Sequence, residues 1–107
     1  MSDGLQTFAK KKLEITVEAP LMKRLLGLLD RMEVNGYTVV PALAGRGREG
    51  SWQRDGLVST AGQMVVVTCI LDAGRESAVL KAVYDLIARQ IGIVTVSDVL
   101  VVRPEHF

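Results

Sequence analysis

The segment Gly45-Arg46-Gly47-Arg48-Glu49-Gly50 is the stretch of this sequence whose residue types best suit binding chemistry. Glycine lets the backbone approach a ligand closely and turn its N–H groups inward as an anion nest. Arginine adds a planar fork of donors that matches phosphate or carboxylate oxygens. Gly-Arg repeats also occur in plain flexible loops, and the pattern alone leaves the two readings even. What favours binding is position: the segment follows a strand and opens a long glycine-rich connection. Arg103, at the end of the last apolar run, is either half of a surface ion pair or a clamp on an anionic ligand. Trp52 lies in the same connection, where it either packs on its own protomer or anchors a partner.

Catalytic chemistry has weaker support. The single histidine, His106, stands beside the chain end, where a solvated tail residue is the commoner reading than a general base. The single cysteine, Cys69, sits in the most apolar run, which suits a buried inert thiol rather than a nucleophile. No carboxylate pair stands out and no Cys/His cluster has metal-ligand spacing. The sequence therefore reads as a binding protein, not an enzyme, with no cofactor or metal site.

Composition bounds the rest. A chain of 107 residues has room for one domain and one core, and 49% hydrophobic against 23% charged residues marks it as folded. So small a domain buries a modest share of its surface, which makes an oligomer reasonable. A net charge of +1 gives no electrostatic case for nucleic acid or membrane. Lys10-Lys11-Lys12 reads as a solubilising edge. One cysteine forbids an internal disulfide, no apolar run spans a bilayer, and the first nine residues lack signal-peptide character, so a cytoplasmic location is expected.

The elements that must position these residues follow from periodicity. Residues 1–9 read as a flexible tail. Residues 11–18 alternate, with Leu13, Ile15 and Val17 on one face: a half-buried strand. Pro20 suits a first helical turn, Leu21, Leu25, Leu28, Leu29 and Met32 recur at helical spacing, and Asn35-Gly36 offers a stop. Tyr37 to Ala44 is a second strand, with Pro41 demanding an edge or a bulge. Residues 45–62 show no periodicity and hold five of the ten glycines: a long loop. Gln63 to Leu71 is a continuous apolar central strand. A second helix runs from about Glu76 to Gln90 and ends at Gly92, with Lys81, Asp85 and Arg89 spaced to pair. Residues 93–103 form a last strand, with a break or bulge at Ser97-Asp98. The order β-α-β-loop-β-α-β points to an α+β, ferredoxin-like fold: a four-stranded antiparallel sheet with two helices on one face. Strands apolar on both sides leave the other face for further copies of the chain.

Three segments resemble the PII signalling family over about residues 10–105. They are Gly36-Tyr37-Thr38-Val39-Val40 leading to Gly45-Arg46-Gly47-Arg48, the valine-rich return strand, and Val99-Leu100-Val101-Val102-Arg103-Pro104-Glu105. The resemblance implies a homotrimer with adenine nucleotides in clefts between protomers and a regulatory T-loop at about residues 45–62. It implies that Thr38 contacts base or ribose, that Gly45, Arg46, Gly47 and Arg48 cradle phosphates at the loop base, that Arg103 reaches the phosphates, and that Gly92 matches part of the B-loop. This B-loop lacks the family's further glycine and following lysine, which favours ADP or AMP over ATP. Glu49 replaces a glutamine that helps hold magnesium and 2-oxoglutarate, which argues against sensing of that acid. The loop holds no tyrosine for the modification some members undergo. These departures resemble the divergent, carboxysome-associated branch. By analogy alone, that branch extends the reading to bicarbonate sensing in inorganic-carbon metabolism, with a bicarbonate transporter or a carboxysome component as target. Three other readings stay open: a trimeric interaction module that binds no nucleotide, a metal-tolerance-type trimer, and a small enzyme on the same scaffold.

Overall fold

The structure, a computed structural model, describes residues 5–47, 50–53 and 63–103. Along the chain come β1 (Phe8–Glu18), α1 (Met22–Arg31), β2 (Tyr37–Pro41), β3 (Ala44–Gly47), β4 (Gly50–Gln53), β5 (Met64–Leu71), α2 (Glu76–Ile87) and β6 (Gly92–Val101). A 3-10 turn leads into each helix, at Ala19–Leu21 and Ala73–Arg75. Four strands form one antiparallel sheet in the order β2-β5-β1-β6, and β3 pairs with β4 in a separate two-stranded sheet. This is the expected ferredoxin-like arrangement.

The core follows from alternation. β1 buries Leu13, Ile15 and Val17 completely, and β5 adds Val65, Val67, Cys69 and Leu71 to the same cluster. Leu25 and Leu29 of α1 and Val79, Val83 and Ile87 of α2 close over them at the helical spacing the sequence sets. Burying each of these aliphatic side chains contributes roughly 1.5–3 kcal/mol before entropy is charged against it. Pro41 lacks an N–H and falls on β2, which is an edge strand, as its chemistry requires.

Six boundaries differ from the sequence reading, each for a backbone reason. The first strand begins at Phe8, inside the expected tail, because β6 pairs with it as far as Phe8–Val101. The second strand ends at Pro41 rather than Ala44, although the Ala42 amide still reaches the Met64 carbonyl at 3.0 Å. Part of the expected 45–62 loop is a hairpin, with Gly45 opposite Trp52 and Gly47 opposite Gly50. Glycine-rich strands carry no side-chain alternation, so pairing made by backbone alone leaves no pattern to read. Residues 54–62 lie outside the described residues.

Helix α1 stops at Arg31, short of Asn35-Gly36. Glu33 takes the left-handed conformation (φ 58°), its amide meeting the Asp30 carbonyl at 3.0 Å while the Val34 amide meets that of Leu29 at 2.9 Å. This is the Schellman closure, with a glutamate where glycine is usual. Helix α2 ends at Ile87, and Gly92 opens β6 instead of capping the helix. The bulge expected at Ser97-Asp98 is absent, since the ladder from Gly92 to Val101 is unbroken and Ser97 and Asp98 stand opposite Lys12 and Lys11.

Candidate functional site

The sheet register assigns each candidate residue a position. At one end of the sheet, Pro41, Val65, Val17 and Gly92 stand in one row across β2, β5, β1 and β6. The β3–β4 hairpin leaves the sheet from that end, two residues after Pro41, carrying Gly45, Arg46 and Gly47. Gly92 and the hairpin base are therefore gathered at one end. Arg48 and Glu49 lie outside the described residues.

Arg103 is elsewhere. It follows β6 by two residues and is exposed, past the Phe8–Val101 pair at the opposite end of the sheet. Gly92 and Val101 are nine residues apart on one strand, which at 3.3–3.4 Å per residue is about 30 Å. Thr38 lies between, exposed on the sheet face away from the helices, in a row with Thr68, Glu14 and Thr95. One protomer therefore does not bring all the candidate residues together.

The two glycines at the hairpin end differ in what surrounds them. A Cβ on Gly92 would lie 2.9 Å from the Thr16 carbonyl oxygen and 3.0 Å from Val17 Cγ1, so the approach of β1 already demands glycine there. A Cβ on Gly47 would meet nothing within 4 Å. Among the described residues nothing accounts for that glycine.

Two shallow recesses flank this end. One, of about 290 Å³, is lined by Tyr84, Ile87, Ala88, Gly92, Ile93 and Val94 among others. The other, of about 140 Å³, lies between Glu18, Pro20, Leu21 and Arg24 on one side and Gln90 and Ile91 on the other. Complete small-molecule pockets run from about 300 to 1,000 Å³, so each recess is a partial wall. Sequence reasoning missed Arg24, which periodicity assigns simply to the solvent face of α1. Its signal is its place one turn after Pro20, where α1 meets the turn before β6.

Electrostatics at the Arg103 end is largely internal. Lys10 pairs with Asp72, Lys11 with Asp98 and, at 3.7 Å, Glu76, and Lys12 with Glu14 at 3.7 Å. The triple lysine is thus matched by carboxylates from β1, α2, β6 and the turn after β5 and is no free cationic patch. The hydrogen bond to Lys10 holds the Asp72 carboxyl below its ordinary range, and the bond to Asp98 holds the Lys11 ammonium above its own. Cys69 faces the core from β5, and burial pushes its thiol up to about 11, which makes it a poor nucleophile. His106 lies outside the described residues. Among the described residues no three metal-ligating side chains gather, and no helix is long and apolar enough to cross a membrane.

The model of the nitrogen regulatory protein P-II family matches residues 10–106. The chain belongs to this family. Among solved structures, the PII-like chain is similar to CPII, a nitrogen regulatory PII-like protein from Thiomonas intermedia K12 bound to ADP, AMP and bicarbonate. Identity is 27%, with 97% of this chain and 98% of that one covered and a TM-score of 0.88. A second CPII structure, bound to ADP and bicarbonate, matches at 28% identity, 97% and 99% coverage and a TM-score of 0.84. A PII-like signalling protein from Thermus thermophilus matches at 25% identity, 96% and 99% coverage and a TM-score of 0.79. No curated protein matches the chain. The strand order, the hairpin between β2 and β5 and the family match agree on a PII-like signalling protein.

Proposed function

We propose that this chain forms a homotrimer, binds an adenine nucleotide in each cleft between protomers, and relays occupancy through the β3–β4 hairpin to a target protein. The observation that carries the reading is the likeness to CPII over 97% of the chain, since that protein holds ADP, AMP and bicarbonate. The two-ended placement of the candidate residues supports the cleft: Gly92 and the hairpin base of one protomer meet Arg103 of the next. Gly45 and Gly47 offer backbone amides to phosphate, while Arg46, Arg48 and Arg103 supply guanidinium donors. Thr38 faces base or ribose. The open space at Gly47 suits a ligand or a neighbouring chain at close range.

ADP or AMP binds better than ATP, because the turn before β6 lacks the glycine and lysine that would hold a third phosphate. Bicarbonate is the second ligand, and the target belongs to inorganic-carbon handling, a bicarbonate transporter or a carboxysome component. The relay uses the hairpin's independence. It forms its own two-stranded sheet, and such a ribbon is marginal alone, so a ligand at its base changes its population of ordered states.

Calorimetric titration with ADP, AMP, ATP and bicarbonate tests the site. Hydrogen bonds to charged groups contribute about 1.5–3 kcal/mol each, so Arg48→Ala and Arg103→Ala each weaken nucleotide binding more than about tenfold. Unchanged affinity in both variants overturns the assignment.

A further inference from the structure

Most of the described cations are already engaged. Lys10, Lys11, Lys12 and Lys81 each pair with a carboxylate, Arg75 bonds carbonyls at the end of α1, and Arg46 and Arg103 each have a partner. Among the described residues the exceptions are Lys23, Arg24, Arg31 and Arg89, and the first three belong to one helix, α1. The chain's formal charge is only +1, so this is a local concentration and not a consequence of net charge.

Helical spacing puts the three on one face. At 3.6 residues per turn, Lys23, Gly27, Arg31 and Arg24 fall within about 100° of arc, on the side opposite the buried Leu25 and Leu29. All three cations are exposed. Lys23 and Arg31 are about 12 Å apart along the axis. Asp30 is the one acid of α1, and it is engaged elsewhere, accepting from the Tyr37 hydroxyl of β2 at 3.1 Å. Gly27 sits in the middle of the face. A glycine inside a helix weakens it relative to alanine, so its presence calls for a reason. Among the described residues no other element crowds it: beyond the helix backbone, a Cβ there would meet only Arg31, with Nη1 at 3.4 Å. The Arg31 guanidinium therefore leans back over bare helix, towards Lys23 and Arg24, and the missing side chain draws three positive charges together.

We infer that this face of α1 docks an acidic helical segment of another protein, whose carboxylates seat among Lys23, Arg24 and Arg31. Charge complementarity selects the occupant. None of the exposed large hydrophobic side chains among the described residues is on α1, so the face lacks the apolar anchor with which an interfacial helix holds a membrane. Three cations over about 12 Å neutralise too few phosphates to hold a nucleic-acid duplex at physiological salt. A helix with glutamates four residues apart repeats its charge about every 6 Å, so three of them match the length of the strip. The inference does not depend on nucleotide binding.

Fluorescence anisotropy of a labelled, end-blocked helical peptide with glutamates four residues apart, titrated with the full chain, tests it. The peptide binds at low salt and is released at high salt, as screened charge pairs require, and its all-glutamine counterpart does not bind. Arg24→Glu and Arg31→Glu each weaken binding at least about fivefold, while Lys81→Glu, the same change of net charge placed on α2, alters it less than about twofold. Gly27→Leu displaces the Arg31 guanidinium and weakens binding about threefold, with a thermal midpoint no lower than that of the unaltered protein. Circular dichroism checks the fold, and Arg24→Gln and Arg31→Gln carry the test where a glutamate disturbs α1. An acidic peptide that does not bind overturns the inference, and so does equal weakening by Lys81→Glu. Tighter binding to phosphatidylserine-containing vesicles or to a short DNA duplex than to the peptide also overturns it, by giving the face a different partner.

Discussion

The guanidinium of Arg75 donates to the backbone carbonyl of Met32, so a residue of the turn before α2 closes the C-terminal end of α1. A longer bond, 3.4 Å, reaches the Glu33 carbonyl. These carbonyls lie where the helix runs out of amide partners and its dipole is negative, and a cation there is favourable. Arg75→Ala removes both donors and the charge. Because the site is partly exposed, the expected loss is about 1 kcal/mol. Thermal unfolding followed by circular dichroism reads this as a lowered midpoint, with Arg75→Lys falling between. An unchanged midpoint in the alanine variant would remove Arg75 from the account of the fold.

The resemblance gives Gly47 a place in the phosphate cradle and Gly92 a place in the B-loop, and the structure separates their expected behaviour. An alanine at 92 pushes a Cβ against the Thr16 carbonyl oxygen, so β1 or β6 must shift. Overpacking of this kind costs roughly 1–3 kcal/mol. An alanine at 47 has room, and the fold should keep its stability within about 0.5 kcal/mol. Nucleotide titration of Gly47→Ala then reads the site without confusion from stability. Weakened ADP binding by a fully stable protein is the expected outcome, and equal binding would return Gly47 to a plain loop role.

Much of this architecture was legible because side chains announce it. Leu13, Ile15 and Val17 alternate, Val79, Val83 and Ile87 step along a helix, and both patterns survive as buried faces. The features that escaped are made by backbone or by distant pairing. Three of the eight residues in the β3–β4 hairpin are glycines, which leave little side-chain periodicity to show. Glu33 closes α1 in a conformation usual for glycine, while Asn35-Gly36, the better local signal, goes unused because the chain has already turned. Asp98 reads as a strand breaker until Lys11 is seen across from it. For the site, residue types were readable, and so was the span of the last strand between Gly92 and Arg103, but the sheet register that groups the other candidates was not. Nothing local records that the hairpin base joins Gly92 at its end of the sheet.

Alkaline titration should destabilise the protein in a defined direction. Burial holds the Cys69 thiol at about 11 against an ordinary 9.0. Between those values the unfolded chain releases the proton and the folded one retains it. The unfolded state then binds fewer protons, and stability falls as pH rises, by at most about 1.4 kcal/mol per pH unit for this group. Lys11, held up chiefly by its hydrogen bond to Asp98, and Tyr37, held up chiefly by its bond to Asp30, act in the same direction at higher pH. Urea midpoints measured from pH 8 upward should decline above about pH 9. Cys69→Ala should flatten the first part of that decline, and an identical slope in the variant would exclude the thiol as its source.

The composite site makes a prediction that no single variant can. If Arg103 of one protomer completes the hairpin end of its neighbour, a homotrimer of Arg103→Ala has every site broken, and so does a homotrimer of Arg46→Ala. Mixed trimers differ. Wherever an Arg46→Ala protomer presents its intact Arg103 to the intact hairpin of an Arg103→Ala protomer, one unaltered site is rebuilt. In a closed head-to-tail ring assembled at random from equal amounts, about one junction in four has this arrangement. Unfolding the two variants together, refolding them and titrating ADP should therefore restore full-affinity binding to about a quarter of the protomers. Variants refolded separately and then combined, without exchange of subunits, should restore none. Recovery in both preparations would point to loss of some other function in the variants. Recovery in neither would mean that Arg103 and the hairpin do not share a site, because subunit mixing can rescue only what two protomers build together.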